Sequence, residues 1–152
     1  MNKILNYILV FLLFTIFGCA YEPVLNKKNY QFSINISEIN GDQQINSIIK
    51  DRINFLKKNQ NEYELSLITK KEKKIISKDS KGDPATFELL ININYIVKKS
   101  DKTIIKKDIK RKITYNNITD KFELENYEKN IIENLSEVLS DSIISSISEI
   151  NK

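Results

Sequence analysis

The spacing of apolar residues in this 152-residue chain changes repeatedly between two periods, and this limits the folds open to it. A period of two is typical of a half-buried strand, and a period of 3.6 of an amphipathic helix. Segments with a period of two begin near Tyr30, Tyr63, Phe87 and Thr103. One helical stripe comprises Ile45, Ile48, Ile49, Ile53 and Leu56. A longer one comprises Leu124, Tyr127, Ile131, Leu135, Val138, Ile143 and Ile147.

Turn signals separate these segments and suggest how they connect. Gly41 and Asp42 should end the first strand and cap the first helix, which we predict to have about 15 residues. KGDP (81–84) is a strong turn signal, and KKSDK (98–102) predicts a hairpin turn without glycine. The order is therefore β-α-β-β-β-α. We predict an α+β two-layer sandwich, in which two amphipathic helices cover one face of a four-stranded, mostly antiparallel sheet. The first helix allows strands 1 and 2 to be parallel.

The N-terminus, MNKILNYILVFLLFTIFGC, has the pattern of an export signal: a basic start, about ten apolar residues and a small residue. The apolar run is too short for the ~30 Å hydrocarbon core of a membrane, which needs about 20 residues. A buried core helix is the alternative, but the continuous run has no polar face. We predict a signal peptide over residues 1–18.

The only cysteine directly follows that signal, and Ile16-Phe17-Gly18-Cys19 resembles the bacterial lipobox. Cleavage before Cys19 would expose its thiol and its amine for acylation, and two or three acyl chains anchor a protein stably. An ordinary secretory signal with a chance cysteine is the alternative. We predict a lipoprotein with an acylated tether over 19–29 and a single domain over 30–150. Because Ala20, not Asp, follows the cysteine, bacterial sorting rules favour the periplasmic face of the outer membrane.

Residues suited to catalysis are scarce. The chain has no histidine, the commonest general base and metal ligand. It has three glycines and none of the glycine-rich or nucleophile motifs of common enzymes. Glu62 and Glu64 are neighbours on one strand face, typical of a solvated edge. We therefore expect no enzymatic activity, no metal and no cofactor.

Charge is distributed unevenly along the chain. Residues 98–112 contain eight basic and two acidic groups, a net of +6, and residues 70–81 contain six and two, a net of +4. Residues 120–152 contain three basic and eight acidic groups, a net of −5. Such asymmetry favours an anionic partner. Because the export signal argues against nucleic acid, we expect an anionic lipid or glycolipid at the periplasmic face of the outer membrane.

Strand 4 concentrates the basic residues. Lys106, Asp108, Lys110 and Lys112 share one face, with neighbours about 7 Å apart. That spacing suits phosphates or sugar carboxylates. Lysines that protect an exposed strand from unwanted pairing explain the same pattern.

The layout over nearly the whole chain resembles the LPS-assembly lipoprotein family (LptE). The stretches that support this are the CAYEPVL start, the helix from Ile45 to Leu56, YELSL, KGDPATFELLININYIV, the basic strand, YNN and the long closing helix. The most characteristic local feature is Gly82, Ala85, Phe87 and Leu89 in a G-x-x-A-x-F-x-L pattern.

The resemblance implies a non-enzymatic lipoprotein that plugs the outer-membrane lipopolysaccharide (LPS) translocon, an LptD-like β-barrel protein. It implies that the protein assists assembly of this barrel and binds LPS during delivery to the cell surface. Basic residues just before the third strand and the last helix should meet the lipid: here Lys78, Lys81 and Lys121. The charge pattern adds Lys106, Lys110 and Lys112.

Two other functions fit the sequence. An accessory lipoprotein of a lipid-transport ABC system should have an apolar groove for acyl chains. An anchored structural or adhesion domain would carry its lysines incidentally. Asn92 and Asn94 give the sheet a polar surface, which suits the wet lumen of a barrel.

Overall fold

The computed structural model describes residues 30–54, 56 and 62–151, so the predicted signal peptide and tether, with Cys19, lie outside the described residues. The elements are β1 (Ser33–Gly41), α1 (Gln43–Asn54), β2 (Glu62–Lys78), β3 (Pro84–Lys99), β4 (Lys102–Asn116) and α2 (Lys121–Ile150). This is the predicted β-α-β-β-β-α order. No helix within these ranges is long and apolar enough to span a membrane.

The four strands form one mixed sheet in the order β1-β2-β3-β4. β1 runs parallel to β2, because α1 returns the chain to the starting end of the sheet. β2 and β3 are antiparallel, as are β3 and β4. The hairpin between β3 and β4 turns at Ser100 and Asp101, whose φ angles are 48° and 62°. The predicted mostly antiparallel sheet and its glycine-free hairpin turn are confirmed.

One core lies between the sheet and the two helices, which pack on the same face. The odd-numbered residues of β3 from Phe87 to Val97 all face this core and are buried. α1 contributes Ile45, Ile49 and Ile53 at helical spacing. β1 also contributes, through a register shift between Ile36 and Glu38 that brings Ile39, besides Ile34 and Ile36, against the core. The two-layer α+β architecture is confirmed.

Two predicted details are corrected. α1 has 12 residues, fewer than predicted, and Leu56 lies beyond its end, half-buried against the core. On α2, Tyr127 and Val138 are 43% and 47% exposed, although the sequence pattern included them in the apolar stripe. Ile131, Ile143 and Ile147 of the predicted stripe are buried, and the other buried positions of α2 are Ile132, Ser136, Leu139, Ser140 and Ile144.

Two buried serines make the core-facing side of α2 differ from the apolar stripe in the sequence. Ser136 and Ser140 are fully buried, so polar letters occupy part of the helix face that packs against the core. The hydroxyl of Ser140 donates a hydrogen bond of 2.7 Å to the carbonyl of Ser136, one turn earlier. This bond satisfies the Ser140 hydroxyl within its own helix, whereas the buried Ser136 hydroxyl has no hydrogen-bond partner among the described residues. At this turn of the helix the residue that packs against the core is therefore Leu139 and not Val138.

Candidate functional site

The face of the sheet opposite the helices, here called the open face, is polar. The even-numbered residues of β3 point to it, and β2 and β4 flank them in register. Asn92 lies between Lys70 and Lys110, and Asn94 lies opposite Asp108. The lysines of β4 were expected beside both asparagines, but only Asn92 has a lysine directly opposite it on β4.

A shallow depression of about 480 Å³ lies on this face. The lining residues that point to the open face are Glu38, Ser66, Ile68, Asn94, Ile96, Lys106 and Asp108. Only two of these side chains are apolar, and charged groups of both signs surround them. The depression therefore combines apolar surface with charged side chains of both signs. Among the described residues, no group of histidine, cysteine, aspartate or glutamate side chains could hold a metal ion.

Three of the six predicted ligand-binding lysines lie together at one end of the sheet, and we call Lys78, Lys81 and Lys121 the tip lysines. Lys78 is the last residue of β2 and pairs with Pro84, the first residue of β3. The side-chain amide of Asn117 donates to the carbonyl of Pro84 at 2.9 Å, which holds the start of α2 at this end. All three lysines are exposed.

Carboxylates alternate with the tip lysines. Asp79 accepts hydrogen bonds of 2.9 Å from the backbone N–H groups of Lys81 and Asp83 and so closes the β2–β3 turn. Asp120 caps α2 by accepting the N–H of Glu123 at 2.9 Å. The tip therefore offers separate ammonium groups and not a strongly positive patch.

The other three predicted lysines, Lys106, Lys110 and Lys112, lie along the open face of β4, and we call them the edge lysines. Lys112 forms an ion pair of 2.8 Å with Glu88 on β3. The ammonium groups of Lys106 and Lys110 form no hydrogen bond or ion pair with the described part of the chain.

The tip and edge lysines are too far apart to bind one headgroup together. Lys112 pairs with Leu90 and Lys106 with Ile96, whereas Lys78 pairs with Pro84. At about 3.3 Å per strand residue, these rows are about 20 to 40 Å apart. The structure thus divides the predicted binding residues between two surfaces.

Some of the basic residues in the 70–81 segment stabilise the fold. Lys71 forms an ion pair of 2.9 Å with Asp42 at the start of α1. Lys73 forms an ion pair with Glu128 of α2. The Tyr115 hydroxyl donates to the same carboxylate at 2.8 Å, and burial together with this hydrogen bond raises the pKa of Tyr115. The sequence could not distinguish these ion-paired lysines from unpaired ones.

Exposed apolar side chains accompany the tip lysines, and the sequence patterns did not single them out. Ile75 and Ile76, near the end of β2, are 50% and 54% exposed. Phe122, in the first turn of α2, is 72% exposed. In the sequence, Phe122 lies outside the apolar stripe and beside charged residues. That position could have indicated that its side chain is exposed. Apolar and ammonium groups together suit an amphiphile with an anionic headgroup.

Comparison with known proteins was made by sequence and by structure. No family model and no curated protein matches the chain. Solved structures do. Rare lipoprotein B from Shewanella oneidensis matches with a TM-score of 0.55 and 16% identity, over 78% of this chain and 100% of that one. The chain has the fold of this lipoprotein.

Two further lipoproteins have the same fold. A minor lipoprotein from Acinetobacter baumannii matches with a TM-score of 0.55 and 10% identity, over 80% of this chain and 93% of that one. Uncharacterized lipoprotein B from Nitrosomonas europaea matches with a TM-score of 0.58 and 12% identity, over 80% and 88%. At these identities the likeness shows the fold alone.

Proposed function

We propose that this protein is a non-enzymatic, lipid-anchored outer-membrane lipoprotein. It plugs the LPS translocon β-barrel, assists its assembly and binds LPS during delivery to the cell surface. The observation that carries the proposal is the fold shared with rare lipoprotein B over the whole of that chain. The lipobox ending at Cys19 supports the anchor independently, because it comes from a different part of the sequence.

The LPS contact is proposed at the tip lysines. Lys78, Lys81 and Lys121 are exposed ammonium groups at one end of the molecule. Ile75, Ile76 and Phe122 add exposed apolar surface near the same ends of β2 and α2. LPS combines phosphates with acyl chains, so both chemical features of the tip suit it.

The partner is tested by crosslinking the acylated protein in native outer membranes and identifying what is recovered with it by mass spectrometry. A large β-barrel protein in stoichiometric amount is expected. Recovery of an inner-membrane ABC subunit would favour the accessory function instead. If no partner is recovered, this protein shares only its fold with rare lipoprotein B, and the proposed plug function is wrong.

The anchor is tested by labelling cells with palmitate. The wild-type protein should incorporate the label and fractionate with the outer membrane. A Cys19→Ser variant should not incorporate the label, because the acyl attachment atom is removed. Equal labelling of both proteins would exclude Cys19 as the attachment site.

The ligand contact is tested with two triple variants that change the charge equally. Lys78→Glu/Lys81→Glu/Lys121→Glu alters the tip, and Lys106→Glu/Lys110→Glu/Lys112→Glu alters the edge. We expect the tip variant to lose LPS binding while its far-UV circular dichroism stays unchanged. If only the edge variant loses LPS binding, the contact is at β4. If both variants bind LPS like the wild type, the LPS site lies elsewhere and the plug function still stands.

A further inference from the structure

The two edges of the sheet are built differently. β1 has nine residues, and its register with β2 shifts between Ile36 and Glu38. β4 has 15 residues, and its only register shift is at the start of the hairpin, opposite Val97 and Lys98. Among the described residues, no strand pairs with the outer side of β4. A long, regular edge presents a row of backbone groups that can pair with another strand.

In the part of the chain that the structure describes, charge is the device that protects this edge. Short length, proline and bulges are the other common devices, and β4 has none of them over its central residues. The strand carries one acidic residue, Asp108, and six basic residues: Lys102, Lys106, Lys107, Lys110, Arg111 and Lys112. Charge protects selectively, because it repels basic strands and attracts acidic ones.

We propose that the outer edge of β4 binds an extended, acidic segment of a partner protein as a fifth strand of the sheet. Backbone hydrogen bonds supply the pairing, and the edge lysines select the partner by charge. The inference does not rest on the proposed function, because it uses only the strand order and the charges of β4.

The side chains of β4 predict the pattern of the added strand. On the open face, acidic residues should lie opposite Lys106, Lys110 and Lys112. On the helix-covered face, apolar residues should lie opposite Ile105, Ile109 and Ile113. Ile109 is half-buried and Ile113 is 36% exposed, so apolar surface remains for the added strand to cover. The partner segment therefore has acidic and apolar residues in a fixed register.

Other occupants of the edge fit its charge less well. A second copy of β4, paired antiparallel, would bring basic residues opposite basic residues. The chain's own segment 20–29, AYEPVLNKKN, has one glutamate, two lysines and a proline. Neither complements a strand with six basic residues and one acidic residue.

The probe for the test is a synthetic peptide, VETEVTTEV, which matches this pattern when it lies antiparallel to residues 113–105. Binding to the full-length protein in detergent is measured by fluorescence anisotropy, and β4 is followed by hydrogen exchange. We expect saturable binding and slower exchange of β4 amides. A peptide with lysine at its three glutamate positions should bind about tenfold more weakly or not at all.

Backbone pairing is distinguished from simple charge attraction with two N-methylated forms of the same peptide. One form lacks the N–H groups at odd positions and the other at even positions, while both keep the full charge. An added strand bonds through one set of alternate N–H groups, so the two forms should differ in affinity. Equal affinities would overturn the proposal, and this comparison uses only the wild-type protein.

The register is tested with the two triple variants already described. The edge variant, with three lysines changed to glutamate, should reject the acidic peptide and bind the lysine peptide. The tip variant, with the same change in charge, should bind the acidic peptide like the wild type. If both variants lose binding equally, the peptide responds to net charge and the edge assignment is wrong. Loss of LPS binding in the tip variant is a separate readout, so this proposal and the proposed function can fail independently.

Discussion

Single residues decide how the chain passes from β1 into α1. Gly41 has a φ angle of +105°, which L side chains rarely adopt, and it pairs with Thr69 on β2. A Cβ atom at this position would lie 1.9 Å from the carbonyl oxygen of Thr69. The parallel pair of β1 and β2 therefore requires glycine here for both backbone and steric reasons.

Replacing Gly41 by alanine should lower the free energy of unfolding by about 2 kcal/mol or more, because strain adds to a forced shift of the strand pair. Gly82 is the matched control. It also has a positive φ, +91°, but a Cβ atom added there would meet no neighbouring atom within 4 Å. Gly82→Ala should cost about 1 kcal/mol. Urea unfolding of both variants measures the difference, and equal losses would show that the close contact is unimportant.

Asp42 links the start of α1 to β2. Its carboxylate accepts the N–H of Ile45 at 3.1 Å and pairs with the ammonium group of Lys71 at 2.9 Å. Burial raises the pKa of Asp42, but the hydrogen bonds and the charge of Lys71 lower it more, so the net pKa lies below 3.8. The folded state thus holds this proton less tightly than the unfolded state does.

This pKa shift predicts how Asp42 contributes to stability as pH changes. The contribution should be complete above the unfolded pKa near 3.8 and should be lost as pH falls through the lower folded value. An asparagine side chain can still cap the helix but cannot titrate, so Asp42→Asn should weaken the dependence of the urea midpoint on pH between about 2 and 5. Asp42→Ala should also lose about 1 kcal/mol at neutral pH. An unchanged acid profile in the asparagine variant would contradict the assigned pairing.

At the scale of whole elements, α2 determines how the second layer meets the sheet. The helix has 30 residues, and its buried face runs from Ile131 to Ile147. Ser136 and Ser140 are part of that face, whereas Val138 is largely exposed. The contact face therefore differs from the one that apolar residues alone suggest.

Alanine substitutions at two positions of α2 test this face. Ile143 is fully buried, so Ile143→Ala should lower the free energy of unfolding by about 2–5 kcal/mol. Val138 is 47% exposed, and Val138→Ala should change it by less than about 0.5 kcal/mol. Thermal or urea unfolding measures both. A loss at Val138 as large as the loss at Ile143 would restore the stripe predicted from the sequence.

At the scale of the whole molecule, the helix layer is acidic, whereas the open face of β4 and the tip carry lysines that are unpaired among the described residues. α2 carries many acidic residues, and one of them, the partly buried Glu128, is already paired with Lys73 of β2. Lys106, Lys110 and the tip lysines form no ion pair within the described part of the chain. Ligand contact is therefore expected away from the helix layer, on the open face of β4 and at the tip.

Replacing the edge lysines by neutral residues should allow β4 strands of two molecules to pair with each other. In a Lys106→Thr/Lys110→Thr/Lys112→Thr variant, the charge that opposes edge pairing is mostly removed while threonine favours the strand. We expect concentration-dependent self-association by analytical ultracentrifugation, with unchanged secondary structure. The matched tip variant, Lys78→Thr/Lys81→Thr/Lys121→Thr, should sediment like the wild type. If both variants sediment like the wild type, charge does not protect the edge.

Much of the fold could be predicted from local patterns, because the period of apolar residues depends on the geometry of a single element. The order of six elements, the cap at Asp42 and the glycine-free turn at Ser100 and Asp101 all follow from residues close in sequence. The exact face of α2 did not, because a buried serine that bonds to its own helix looks polar in the sequence.

The candidate site depended more on tertiary structure. The family resemblance indicated Lys78, Lys81 and Lys121, and the charge pattern indicated Lys106, Lys110 and Lys112. Pairing between strands distant in sequence placed Lys78 and Lys81 at one end of the sheet and the last three along β4. The same pairing gave Lys71 and Lys73 carboxylate partners from other elements. Local spacing therefore determines which element a residue occupies and roughly which side it faces. Its charged and apolar neighbours depend on long-range packing, which no local pattern encodes.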